Sequence, residues 1–125
     1  MDCKIELIFV PVTDVDRAIE FYVDKVGFHL DMQARVDENV RFVQVTPPTS
    51  ACSIAFGEGI TTMTPGTQNS IQAVVPDAEA AYRDLVERGV DATEVQTLAW
   101  GKFTGFTDPD GNRWALQELP PSNRS

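Results

Sequence analysis

The sequence predicts an α+β domain built from two tandem βαβββ modules. Three observations carry this: the order of hydrophobic patterns along the chain, the return of that order at a nearly constant offset, and matching helix start and stop signals in both copies.

In the first module, residues 4–12 alternate as a strand, with Ile8, Val10 and Val12 on one face and Ile5, Leu7 and Phe9 on the other. Asp14 stands at the N-cap position, and Val15, Ala18, Ile19, Tyr22 and Val26 recur at helical spacing. Gly27 supplies the left-handed residue that ends this helix, expected over 14–26. Strands follow near 28–35, 40–46 and 51–57, separated by Asp37-Glu38-Asn39 and by Pro47-Pro48.

The second module repeats the order after a Gly/Thr/Pro loop from Gly57 to Asn69. A strand over 70–75 leads to a helix over 77–88, capped by Asp77, carrying Ala78, Ala81, Tyr82 and Leu85, and closed by Gly89. Strands near 90–95, 103–107 and 112–118 complete it, the last two joined by the turn Asp108-Pro109-Asp110-Gly111-Asn112. Asp77 lies 63 positions after Asp14, Gly89 lies 62 after Gly27, and Arg113-Trp114-Ala115-Leu116 lies 60 after Ser53-Ile54-Ala55-Phe56. Consistency of this kind outweighs any single motif.

Length and charge bound the function. With 125 residues the chain is read as one domain over 1–119, with modules over about 4–57 and 70–118 and a frayed tail over 120–125. A net charge of -9 with no Lys/Arg cluster repels phosphate backbones, so no nucleic-acid partner is expected. That charge suits a cationic or neutral small ligand, or serves solubility alone. The apolar stretch Ile5–Val12 is broken by Glu6 and Pro11 and is too short for a signal peptide or membrane span. Cys3 and Cys52 are too few for a disulfide framework, and a cytoplasmic, membrane-free protein is expected.

Two segments carry a resemblance. Val12-Thr13-Asp14-Val15-Asp16-Arg17-Ala18-Ile19-Glu20-Phe21-Tyr22 with Val26-Gly27-Phe28 resembles the first-module signature of the vicinal oxygen chelate superfamily, the glyoxalase, bleomycin-resistance and extradiol-dioxygenase group. Phe106-Thr107-Asp108-Pro109-Asp110-Gly111-Asn112, with Trp114 and Glu118, resembles its closing signature, and the likeness runs from about Ile5 to Glu118. It implies a half-open barrel, the glyoxalase/bleomycin-resistance fold, flanked or completed by a second subunit. A homodimer is therefore expected, as half-open sheets leave edges to cover. Each signature residue also has a plain structural role as cap, packing aromatic or hairpin turn, so the motifs identify a scaffold rather than an activity.

Members of this superfamily usually hold a divalent metal at four equivalent strand positions, where it acts as a Lewis acid. The repeat maps these positions onto Leu7, Ala55, Ser70 and Ala115. Leucine and alanine have no donor atoms and a neutral serine hydroxyl is a poor one, so no metal cofactor is expected. His29, the only histidine, reads as a partly exposed strand residue. Glu58 and Glu118 lie three residues beyond Ala55 and Ala115, which turns them to the opposite face. The two cysteines read as inert packing residues, no nucleophile–base pair is evident, and Gly57-Glu58-Gly59 lacks the setting of a phosphate loop.

A lined cavity between the modules remains. Strand parity from Leu7 places Phe9, Ser53, Ala55, Ser70, Gln72, Arg113, Ala115 and Gln117 on its concave side. Trp100 and Phe106 are candidates for a stacking wall, with Trp100 equally suited to plug the barrel or a dimer seam. The resulting candidate ligand-binding set is Phe9, Ser53, Ser70, Gln72, Trp100, Phe106, Arg113 and Gln117. Two function classes stand: a metal-independent small-molecule-binding protein like the drug-sequestering bleomycin-resistance proteins, and a lyase- or dioxygenase-type enzyme with a displaced metal site or acid/base chemistry from Glu58, Glu118 or Arg113.

Overall fold

The computed structural model describes residues 1–121; of the tail expected over 120–125, residues 122–125 lie outside the described residues. The first module consists of β1 (Leu7–Phe9), α1 (Val15–Ile19), β2 (His29–Asp37), β3 (Val40–Thr46) and β4 (Ser53–Glu58). The second consists of β5 (Ile71–Val74), α2 (Ala78–Glu87), β6 (Asp91–Leu98), β7 (Gly101–Thr107) and β8 (Arg113–Glu118). Each module folds its strands into a four-stranded sheet of the same order, β1-β4-β3-β2 and β5-β8-β7-β6, so the internal repeat is a repeat of topology.

Helix starts follow the sequence signals. The Asp14 carboxylate accepts from the Arg17 backbone N–H at 3.0 Å, and Asp77 accepts from Ala80 at 3.0 Å. Helix α1 runs straight into a π-helical turn over Glu20–Lys25, which departs from the regular helix expected over 14–26. The wider turn turns two adjacent aromatic residues, Phe21 and Tyr22, into the core. Strand β1 is shorter than the expected 4–12, because its pairing with β4 spans only Leu7–Phe9 against Ser53–Ala55 and Ile5 is exposed.

Register sorts every strand residue onto one of two faces. In the first sheet Ile54 pairs with Ile8 and Val45, and Phe56 pairs with Val43, forming an apolar row. In the second sheet Trp114 pairs with Ile71 and Phe106, and Leu116 pairs with Ala73. Both rows enter a single core together with Val15, Ala18 and Leu85 from the helices. Tyr22 joins the modules: its ring lies 5.7 Å from that of Phe56 and 6.1 Å from that of Trp114. The other face of each sheet turns away from this core and is called the open face below.

The modules are also locked at their polar ends. Asp110, in the β7–β8 turn, accepts from the Thr13 backbone N–H at 3.2 Å, from the Thr13 hydroxyl at 2.6 Å and from Arg17 at 3.1 Å. Asn112 is fully buried and donates to the Pro11 carbonyl at 2.8 Å and to Asp108 at 2.8 Å. The aspartates and asparagine of the turn thus tie one module to the start of the other.

Candidate functional site

The open faces are built from the rows that alternate with the core rows. In the first sheet Leu7 pairs with Ser53, Phe9 with Ala55, and Gln44 with both Ala55 and Met32. In the second, Ala115 pairs with Gln72 and Gly105, Gln117 with Val74 and Phe103, and Arg113 with Thr107. The parity read from Leu7 therefore holds for Phe9, Ser53, Ala55, Gln72, Arg113, Ala115 and Gln117. Ser70 lies just before β5, is exposed, and donates its hydroxyl to Asn69 at 2.9 Å.

Phe106 is a correction. It is 2 % exposed and pairs with Trp114, so it faces the core, where its ring stacks on Trp114 at 5.3 Å and 16°. Trp100 is 60 % exposed in the β6–β7 connection, and the wall expected from these two residues is not formed. Phe106 instead lines an apolar cavity of about 200 Å³ on the helix side of the second sheet, with Val26, Phe28, Leu85 and Leu116. The cysteines also differ from expectation: Cys3 is exposed and Cys52 is partly exposed ahead of β4.

A groove of about 270 Å³ does lie between the modules, bounded by Ile8, Ser53 and Ile54 on one side and by Ile71, Gln72 and Trp114 on the other. The loop Pro47–Cys52 covers one end, with Thr49 in a left-handed conformation at φ 68°. This groove brings Ser53 and Gln72 together but does not include Phe9, Ser70, Trp100, Phe106, Arg113 or Gln117. Those residues sit on or beside the open faces, except Phe106.

Hydrogen bonds hold several open-face groups in fixed orientations. Gln72 donates to the Gln117 side-chain oxygen at 2.8 Å, and Gln117 donates to the Trp100 carbonyl at 2.8 Å. On the first sheet the Gln44 amide donates to Ser53 at 3.3 Å, and Ser53 shares a 2.6 Å hydrogen bond with Thr46. Thr46 in turn donates to Asp31, which lies two residues beyond its strand partner His29. Glu58 and Glu118 point the other way, as expected: Glu58 pairs with Arg35 at 3.1 Å, and Glu118 accepts from the Ala78 backbone N–H at 2.9 Å.

The four mapped metal positions do not suit a divalent ion. Leu7, Ala55 and Ala115 offer no donor atom, and Ser70 offers one neutral hydroxyl. Among the described residues no three His, Cys, Asp or Glu side chains are grouped as a metal centre requires.

The conspicuous titrating group is buried behind the site. Tyr22 donates its hydroxyl to Asp108 at 2.8 Å and accepts from the Trp114 indole at 3.2 Å. Burial first, and then the adjacent Asp108 carboxylate, push its phenol far above the ordinary range, so it acts as a neutral donor. Its contacts are all with core and turn residues, so its role is structural. No helix among the described residues is long and apolar enough to cross a membrane.

With this geometry in place, similarity to known proteins is informative. The family model of the Glyoxalase/Bleomycin resistance protein/Dioxygenase superfamily matches residues 4–116. The structure is similar to that of TnmS3, an antibiotic binding protein from Streptomyces sp. CB03234, at 32% identity and a TM-score of 0.86, covering 95% of this chain and 98% of that one. It is similar also to a member of the same superfamily from Sphaerobacter thermophilus, at 33% identity and a TM-score of 0.83, covering 94% and 98%. The uncharacterized protein YetH of Bacillus subtilis is 25% identical over 119 residues, 92% of this chain and 98% of that protein. Repeated topology, the two signatures and these matches agree: the chain belongs to the glyoxalase/bleomycin resistance protein/dioxygenase superfamily.

Proposed function

We propose that this chain is a small-molecule-binding protein that works without a metal, its ligand held over the open faces near Phe9, Ser53, Gln72, Arg113 and Gln117. The observation that carries the reading is the open rows themselves. Where the superfamily's metal ligands would stand, this chain has Leu7, Ala55 and Ala115, and beside them are fixed amides and a fixed hydroxyl. Small residues leave room, and pre-oriented polar groups give direction to a ligand. Similarity to an antibiotic binding protein over 95% of the chain favours the same class of role.

The working unit is a homodimer. Phe9, Met32, Val74, Leu98 and Trp100 are each at least 37 % exposed, and they lie on or beside the open faces. In both sheet orders the end strands β1 and β5 have a partner on one side only. A second copy that covers these faces buries the apolar surface and encloses a ligand between the sheets. The reducing cytoplasm suits a chain whose two cysteines are both free.

A flat neutral probe tests the reading. Titration of the labelled protein with 2-naphthalenemethanol, followed by amide chemical shifts, is expected to move Phe9, Ser53, Gln72 and Gln117 first. Shifts confined to the helix-side cavity around Phe28 and Leu85 would overturn the assignment. Light scattering is expected to give twice the chain mass of 13.8 kDa, and a monomer at micromolar concentration would refute the dimer.

A further inference from the structure

We propose that Asp31, held by Thr46 and flanked by His29, forms a subsite for a protonated amine on the open face of the first sheet. The inference rests on the binding role proposed above and names the ligand chemistry it favours.

The subsite sits at a β-bulge. Strand β2 pairs His29 with Thr46 and Leu30 with Val45, then slips so that Met32 meets Gln44, and Asp31 is the extra residue. By period two Asp31 shares the face of His29 and Thr46, and the bulge keeps Met32 on that face as well. One Asp31 carboxylate oxygen, Oδ2, is taken by the Thr46 hydroxyl. Thr46 is tied to the Ser53 hydroxyl at 2.6 Å, and Ser53, only 6 % exposed, accepts from Gln44 at 3.3 Å. The other oxygen, Oδ1, has His29 Nε2 at 3.8 Å, beyond hydrogen-bond range.

The outcome is a carboxylate with one oxygen fixed and the other open to an incoming donor. Its side chain is 28% exposed, so it is half shielded yet reachable. A charged acceptor locked by its neighbours loses little freedom when a cation binds, and shielding strengthens the pairing. Among the strands of this sheet only His29, at 3.8 Å, stands near the open oxygen, whereas Arg35 and Arg41 lie in helix-side rows, paired with Glu58 and Asp16. The net charge of -9 draws cations toward the molecule. Ser53, the inner end of the relay, lines the groove between the modules, which joins this subsite to the proposed ligand face.

The test compares two probes of one shape, 2-naphthylmethylamine, charged at neutral pH, and neutral 2-naphthalenemethanol, by calorimetry at low ionic strength. The wild-type protein is expected to prefer the amine by about tenfold, the size of one partly shielded charge pair. Asp31→Asn should bring that ratio close to one. Thr46→Val keeps the carboxylate but frees it, and should lower the ratio by about threefold, which reports on the subsite even if the Asp31 variant folds poorly. Glu87→Gln removes a negative charge on exposed α2 and should leave the ratio unchanged. An equal preference in wild type and Asp31→Asn would overturn the amine subsite alone, since both probes would still bind. Failure of both probes to bind would remove the binding role together with the subsite.

Discussion

Replacing Tyr22 with Phe isolates the linkage that makes two modules one core. The hydroxyl donates to Asp108 at 2.8 Å and receives the Trp114 indole N–H at 3.2 Å, and all three residues are at most 5 % exposed. Its removal deletes a hydrogen bond to a charged acceptor, worth about 1.5–3 kcal/mol, and strands a buried indole donor at a further cost of about 1–3 kcal/mol. Asp108 keeps its bonds from the Asp110 and Asn112 backbone N–H groups and the Asn112 amide, which limits the damage. The two losses share partners and do not simply add, so a total near 2–4 kcal/mol is expected, roughly. The missing oxygen leaves a hole smaller than a methyl group, so a cavity contribution stays small. For a domain of this size that amounts to a fall in melting temperature of roughly 8–15 °C. Urea and thermal unfolding of Tyr22→Phe by circular dichroism measure it. A variant within about 0.5 kcal/mol of wild type would refute the claim that this bond network couples the modules.

Further outcomes follow from other contacts. Because Tyr22 titrates far above its ordinary value when folded, the unfolded chain alone releases the proton above about pH 10, and stability is expected to fall there by about 1.4 kcal/mol per pH unit. Comparison with Tyr22→Phe, which lacks that proton, checks it: an equal alkaline slope in both proteins sinks the assignment. Asp110→Ala removes three hydrogen bonds to Thr13 and Arg17 and is expected to cost about 1–3 kcal/mol in urea unfolding, while leaving probe binding intact. Gly57→Ala would put a methyl group 1.9 Å from the Arg41 carbonyl oxygen across the β3–β4 ladder, so a loss of about 3 kcal/mol or more, or no soluble protein, is expected. Wild-type-like melting of that variant would show that the two strands lie further apart.

The fold was legible because it rests on local signals. Asp14 and Asp77 cap as short polar side chains at helix starts do, and Gly27 and Gly89 adopt positive φ after the helices. The open-face rows were legible because side-chain direction in a strand has a period of two. Phe106 obeys the same rule. The turn from Asp108 to Asn112 pairs Thr107 with Arg113, which obliges Phe106 to share the face of Trp114 rather than that of Arg113. Asp31 was not legible. Its partner Thr46 and the register slip between Leu30 and Met32 are set by pairing with β3, and no glycine or proline announces either. The π-helical turn at Glu20–Lys25, which buries Phe21 and Tyr22, likewise has no local signal in the sequence.

The central claim is that the open faces bind a small molecule without a metal. Its most direct test is one sample of purified protein, analysed for bound metals and titrated with 2-naphthylmethylamine before and after dialysis against a chelator. The expected result is saturable binding, an affinity unchanged by the chelator, and metal far below one ion per chain. Stoichiometric metal whose removal abolishes binding would contradict the claim and return the chain to the metal-dependent members of its superfamily.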